Sequence, residues 1–283
     1  MAIITISRGS YSKGKEIAEK VAERLGYECI ARRVLFEASD EFNVPEVKLI
    51  RAIHDAPSFF SHLSQKKEKY ISFVQAEILD HFRKDNIVYH GLAGHFFVKG
   101  ISHVLKVRII AELEDRVRLE MDREGISRKE ALHILLKDDE ERRKWSKSLY
   151  GMDTWDTSLY DLVIHIHKLS VTDAVEMICY TSGLEQFQTT PESQKAIDDL
   201  ALAAHVKAAL EGICDAEVTS NAGIVHIKVR GQKLRKTGIA GQDLQRRVRE
   251  QIREGLVLEI MDAVREVPDV KDVICDVDSP YYS

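Results

Sequence analysis

Ile3-Ile4-Thr5-Ile6 followed by Ser7-Arg8-Gly9-Ser10-Tyr11-Ser12-Lys13-Gly14-Lys15-Glu16 is the stretch that decides the fold. A short apolar run leads into a glycine-bearing turn. A helical pattern follows, with Ile17, Ala18, Val21, Ala22 and Leu25 on one face, and Gly26 stops it. Strand, glycine turn, Lys, helix is the layout of a phosphate-binding loop. Gly9-x4-Gly14-Lys15 fills the first seven positions of that pattern, and Glu16 stands where Ser or Thr is usual. Such a loop turns backbone N–H groups inward, and glycine lets the chain approach the anion. The helix N-terminus adds a partial positive charge, and Lys15 a full one. Gly9, Ser10, Ser12, Lys13, Gly14, Lys15 and Glu16 are therefore the expected phosphate ligands. Glu16 is either a water-mediated Mg²⁺ ligand or a helix cap. The bland alternative is an ordinary strand-to-helix turn with a surface lysine.

The next segments alternate. Helical patterns are expected from Arg32 to Ser39, from Pro45, and from Ser61 to Lys84. Strands are expected at Ile87–His90, Val104–Ile110 and Asp161–Ile166, and helices at Leu113–Glu124, Arg128–Tyr150 and Val171–Tyr180. Alternation of this kind gives an α/β domain with a mostly parallel sheet flanked by helices. Gly91-Leu92-Ala93-Gly94 is the corner after one strand, at the strand end where ligands of open sheets sit. His90 beside it reads as a neutral hydrogen-bond donor. His165 and His167 alternate on one strand face and read as packing rather than as metal ligands.

Composition changes after residue 183. Residues 184–193 read as a linker. Beyond it the order helix, strand, strand, helix, strand over 194–283 suggests a small α+β (αββαβ) domain. Asn221 and Gly223 lie between the paired strands.

Bulk properties limit the function. The chain has 283 residues, 44% of them hydrophobic, and net charge −5, so no global field favours nucleic acid. The four cysteines are scattered without Cys-x-x-Cys, which suits a reducing compartment and suggests no zinc site. No apolar run reaches the ~20 residues of a membrane span and no leader is read, so the expectation is a cytoplasmic protein.

Residues 1–183 resemble the cytidylate kinase-like family of P-loop nucleoside monophosphate kinases. The carriers are Ile4-Thr5-Ile6-Ser7-Arg8 with Lys13-Gly14-Lys15-Glu16-Ile17-Ala18, Ile87-Val88-Tyr89-His90-Gly91, and Val107-Arg108-Ile109-Ile110. Asp139 to Gly151 is similar to that family's mobile lid helix, and Ser158 to Val163 to its closing strand. The resemblance implies ATP-dependent phosphoryl transfer, with Mg²⁺, to CMP or dCMP. It implies that Lys15 holds donor phosphates while Arg142 and Lys147, with Arg143 beside them, close over the transferring group. The chain departs from the family at Gly91-Leu92-Ala93, where Gly-Arg is usual, and at Ala31, where an Asp is usual. Arg32 and Arg33 are offered as substitute ligands for the acceptor phosphate, with His90 and Gly91; a surface role is the alternative for the two arginines. The departures also leave open a catalytically weak nucleotide-binding regulator, or an adaptor that binds no nucleotide.

Residues 194–283 resemble a BON domain, through Val206 to Leu210, the hairpin Val218–Val229, and Ala263 to Val273. An insertion, Gly231 to Gly255, carries Lys233, Arg235, Lys236, Arg246, Arg247, Arg249 and Arg253. The resemblance implies binding of a phospholipid or other ligand, and a homo-oligomer is conceivable. An ordinary exposed helix is the alternative for the basic insertion.

Overall fold

The computed structural model describes residues 2–9, 12–31, 33–54, 64–91, 94–231, 233–234 and 242–282. Ser10, Tyr11, Arg32, Leu92, Ala93, Arg235 and Lys236 lie outside the described residues. The chain divides into two compact units, residues 1–197 and 198–283.

In the first unit five parallel strands stand in the order β2-β3-β1-β4-β5. They are β1 (Ile3–Arg8), β2 (Glu28–Ile30), β3 (Ile87–His90), β4 (Val104–Ala111) and β5 (Leu162–Ile166). The chain runs from β1 to the far edge, returns to β3, then crosses β1 to reach β4. The switch in direction opens a crevice at the carboxyl ends of β1, β3 and β4. Strand β1 is central and packed on both faces, which is why it reads as an unbroken apolar run.

Helix α1 (Gly14–Leu25) buries Ile17, Ala18, Val21 and Ala22 against the sheet. It ends at Gly26, whose φ of 68° lets its N–H return to Ala22. Helices α2 (Arg33–Glu41), α3 (Glu46–His54) and α4 (Ser64–Arg83) lie between β2 and β3 in sequence, and α5 (Gly94–Phe97) follows β3. Helices α6 (Leu113–Glu124) and α7 (Arg128–Tyr150) have the bounds the sequence suggests, and Ser127 with Glu130 forms a capping box. Helix α8 (Val171–Ser182) starts with a second box, Ser170 with Asp173. Strand β2 and helix α5 are additions to the sequence reading.

Part of α7 belongs to the core. Trp145 is fully buried, and its indole N–H donates to the Ala52 carbonyl at 3.0 Å. Tyr150 stacks on Phe96 with ring centroids 4.8 Å apart.

Residues 184–193 contain a single 3-10 turn and the start of α9 (Pro191–Ala209). Thr189 donates to Asp85, and just after this segment Gln194 donates to the Arg83 carbonyl.

The second unit holds β6 (Ala216–Asn221), β7 (Ile224–Val229), a short β8 (Lys233–Leu234), α10 (Gln242–Arg265), β9 (Asp272–Val277) and β10 (Tyr281–Tyr282). Strands β6 and β7 form a hairpin, and β9 adds parallel to β7. The two-residue turn Ala222-Gly223 has φ of 54° and 91°, so a glycine there relieves strain. Its core, around Val206, Val225, Ile227, Ile260 and Val264, is built by α9, α10 and one sheet face. Among the described residues no helix is long and apolar enough to cross a membrane.

Candidate functional site

A cavity of about 600 Å³ occupies the crevice. Ser7, Arg8 and Gly9 from β1 and its turn form one side, and Tyr89, His90 and Gly91 from β3 another. Arg108 of β4 and His95 of α5 reach it too. Asp139, Arg142 and Trp145 of α7 line it with Thr154 and Trp155, and Lys15 and Glu19 come from α1.

The turn is held by its own short side chains. Ser12 is buried, and its hydroxyl bonds the carbonyls of Gly9 (3.1 Å) and Ile109 (3.2 Å). The Gly9 N–H also donates to the Ile109 carbonyl, at 3.3 Å. The turn is thus fastened to β4. Lys13 takes a left-handed conformation, φ 60°, immediately before α1. Lys13, at the N-cap position, makes no side-chain capping hydrogen bond, so among the described residues the first N–H groups of α1 retain donor capacity. Gly14 is demanded by space: a Cβ there would lie 2.8 Å from the Cβ and Cδ of Arg8. These features fit a bound polyphosphate.

Lys15 lines the cavity with its side chain 65% exposed, 3.6 Å from Glu19. An exposed pair of this spacing is weak, so Lys15 is available to an entering anion. Glu16 does not line the cavity; it pairs along α1 with Lys20 at 2.9 Å. Among the described residues the carboxylates lining the cavity are Glu19 and Asp139, and Asp139 is held by Arg116 at 2.7 Å. They suit a Mg²⁺ carried mainly by substrate phosphates and water, as that ion prefers.

The three cations expected to close over the phosphoryl group separate. Arg142 lines the cavity and donates to the Arg8 carbonyl at 3.2 Å. Arg143 and Lys147 do not line it. Both hold Asp153, at 2.7 Å and 3.0 Å, and Arg143 lies over the Trp155 ring. Arg143, then Lys147 and the Trp155 N–H, keep the Asp153 carboxyl far below the usual carboxylate range. Successive residues on a helix are about 100° apart, so Arg142 and Arg143 cannot share a face. Arg143 and Lys147 can, and so can Asp139 and Arg142.

Arg33 also lies away from the cavity, in ion pairs with Glu28 and Glu37. His90 and Gly91 do line it. Burial, with Arg8 and Lys15 nearby, pulls the His90 pKa down to about 4 against the opposing pull of Glu19. Burial and then Arg108 and Lys106 bring His95 down to about 3. Both imidazoles are neutral at pH 7, and neither is a proton donor of catalytic strength there. His165 and His167 are exposed beside Glu112 and Asp115.

Gly91 and Gly94 are small for the sake of a buried neighbour. A Cβ on either would lie within 2.6 Å of the Tyr89 side chain. Elsewhere, Glu37, Glu77 and His81 bring three potential ligand atoms within 4.8 Å of one another. Glu37 is already 2.6 Å from His81 and 2.9 Å from Arg33, and the cluster does not line the cavity.

Residues 3–168 match the cytidylate kinase-like family. The chain belongs to that family. It is 25% identical over 179 residues to the cytidylate kinase of Ignicoccus hospitalis, covering 63% of this chain and 97% of that one. It is 27% identical over 178 residues to the cytidylate kinase of Pyrobaculum aerophilum, covering 62% and 90%. A solved structure of an uncharacterized protein from Eubacterium ventriosum is similar in fold, with TM-score 0.50 and 20% identity, over 64% of this chain and 98% of that one. The family match ends before α8, and both the closing helix and the second unit lie beyond it.

Sequence reasoning did not assign Arg8, Arg108, Arg116, Asp139 or Asp153 to the site. Arg108 carried a signal: it is an arginine next to Val107 and Ile109 in a parallel strand inside the sheet. Asp153 follows the α7 cations across Gly151, close enough to fold back on them.

Proposed function

We propose that the first unit transfers the γ-phosphoryl group of ATP to a nucleoside monophosphate, CMP or dCMP by preference. The observation that carries this reading is the cationic cavity at the carboxyl ends of β1, β3 and β4. Gly9 and Lys15 line it, and so does Arg142. Transfer of this kind needs positioning and charge neutralisation more than covalent help from the protein. In this reading the N–H groups at the start of α1, with Lys15, hold the donor phosphates. Arg142 faces the transferring group, and Glu19 and Asp139 are the carboxylates near the hydrated Mg²⁺. That ion, when bound, neutralises charge on the β- and γ-oxygens. The neutral imidazole of His90 offers one hydrogen bond to the acceptor. Buried Trp145 and Phe96 help to exclude water.

The test is a panel of nucleoside monophosphates with Mg-ATP, following ADP release, with Lys15→Ala beside the wild type. Turnover that depends on the acceptor and is lost in Lys15→Ala is the expected result. ATP binding without such turnover overturns it in favour of a nucleotide-binding regulator. One observation favours that second reading: Arg143 and Lys147 are engaged by Asp153 rather than by the cavity. The second unit, BON-like by resemblance, is in either reading a ligand-, lipid- or partner-binding attachment. Flotation with anionic and with neutral vesicles tests the lipid version.

A further inference from the structure

Arg108 is not used by the function proposed above. It lies in β4 beside Ser7 of β1, and only 8% of the residue is exposed. A guanidinium does not lose its proton in a protein, so burial must be compensated by a counter-charge or tolerated for a purpose. The partners of Arg108 are neutral. Nη1 donates to the Ser7 hydroxyl at 3.3 Å and to the Tyr160 hydroxyl at 3.2 Å, and the group lies over the Tyr160 ring at 5.4 Å. Among the described residues no carboxylate forms an ion pair with it. Arg108 also lines the cavity.

The surroundings hold Arg108 in place without neutralising it. Tyr160 is itself fixed by donating to the Thr154 carbonyl at 3.1 Å, and its hydroxyl lies 3.4 Å from His95 Nε2. A rigid, water-poor cation with unused donors is suited to a bidentate oxyanion.

We propose that Arg108 is the anchor for the acceptor's anionic group. It would hold the acceptor phosphate where β4 lines the cavity. The acceptor's identity rests on the kinase reading; the anion site does not.

The test uses the full chain, titrated calorimetrically with CMP, cytidine, ATP and inorganic phosphate. Arg108→Met lowers CMP affinity at least tenfold and leaves cytidine, which lacks the phosphate, unchanged. ATP affinity stays within twofold of wild type, and Arg108→Lys falls between the two. Phosphate affinity falls likewise in a Lys15→Ala background, which weakens the turn's own hold on the ion. The ligand-free melting temperature of Arg108→Met is equal to or above that of the wild type, because an uncompensated charge has been removed. A purely structural arginine gives the opposite pattern: Arg108→Met melts lower, and the CMP-to-cytidine affinity ratio is kept. That pattern overturns the proposal, as does a wild type that binds neither CMP nor phosphate. Phosphate binding that depends on Arg108, in a chain that phosphorylates no monophosphate, upholds the anion site and removes the kinase reading alone.

Discussion

The two ends of the cavity carry the same kind of charge under different control. At the turn, backbone geometry places Lys15: Ser12 ties the loop to β4, Lys13 takes the left-handed conformation, and Gly14 clears the path of Arg8. At α7 a nearby carboxylate decides the outcome. Arg142 reaches the cavity, while Arg143 and Lys147, one turn apart, are drawn to Asp153. A cation set by main chain is where its motif says. A cation on a long side chain goes to the nearest anion.

The largest expected effect separates the two ends directly. Lys15→Ala lowers kcat/KM by roughly 100- to 1,000-fold, the usual cost of a preorganised charge in phosphoryl transfer. Lys147→Ala loses less than tenfold if Asp153 keeps its partner away from the cavity. Equal losses in steady-state assays would break the comparison.

Acid titration comes next. Below pH 6.5 the unfolded chain protonates His90, whereas the native state resists until about pH 4. Stability contributed by neutral, buried His90 is therefore complete above pH 6.5 and falls as pH drops to 4, by roughly 3 kcal/mol at most. The Asp153 contacts behave differently. That carboxyl is held below its ordinary range, so the contribution persists through the same window and is lost only under stronger acid. Urea unfolding at pH 7, 5.5 and 4.5, with His90→Phe as control, reads the slope. An equal slope in His90→Phe means His90 is not its source.

Gly14→Ala probes the steric side of the turn. The added Cβ meets the base of the Arg8 side chain, which cannot simply swing away, and overpacking of this kind costs about 1–3 kcal/mol. Thermal melting shows the loss, and ATP affinity falls with it. The smallest effect is expected at Asp153→Asn. Arg143 and Lys147 are released from a part-buried carboxylate, and ATP binding tightens no more than about fivefold. Weaker ATP binding in Asp153→Asn would sharpen the comparison the other way, making Asp153 an organiser of the helix cations.

Much of the fold was legible because local chemistry wrote it. Helices α6 and α7 are bounded by Gly125, Ser127 with Glu130, and Gly151, each a local terminator or cap. Strand β3 and strand β7 were bounded by turn residues. Strand β2 was missed because Glu28-Cys29-Ile30 is too short to show a period; pairing with β3 makes it a strand. In the site, the spacing picks out Gly9 and Lys15, which line the cavity, while Ser12, Lys13, Gly14 and Glu16 do not. The split between Arg142 and the pair Arg143–Lys147 was also written in the spacing, as the helical angle between neighbours. What covers each face was not, because Asp153 reaches its partners only after the chain has folded back. The placement of Arg108 depends on Ser7 and Tyr160, which come from distant parts of the chain.

The ring of Tyr89 has a consequence for how related chains should be compared. Gly91 and Gly94 look like the hallmark of a nucleotide-contacting corner, yet each vacates volume that this phenol fills. In homologues these three positions ought to vary as a set: a slimmer residue at 89 should license larger ones at 91 and 94. Glycine at that bend is then a record of the aromatic beneath it, and its loss elsewhere need not signal a lost substrate.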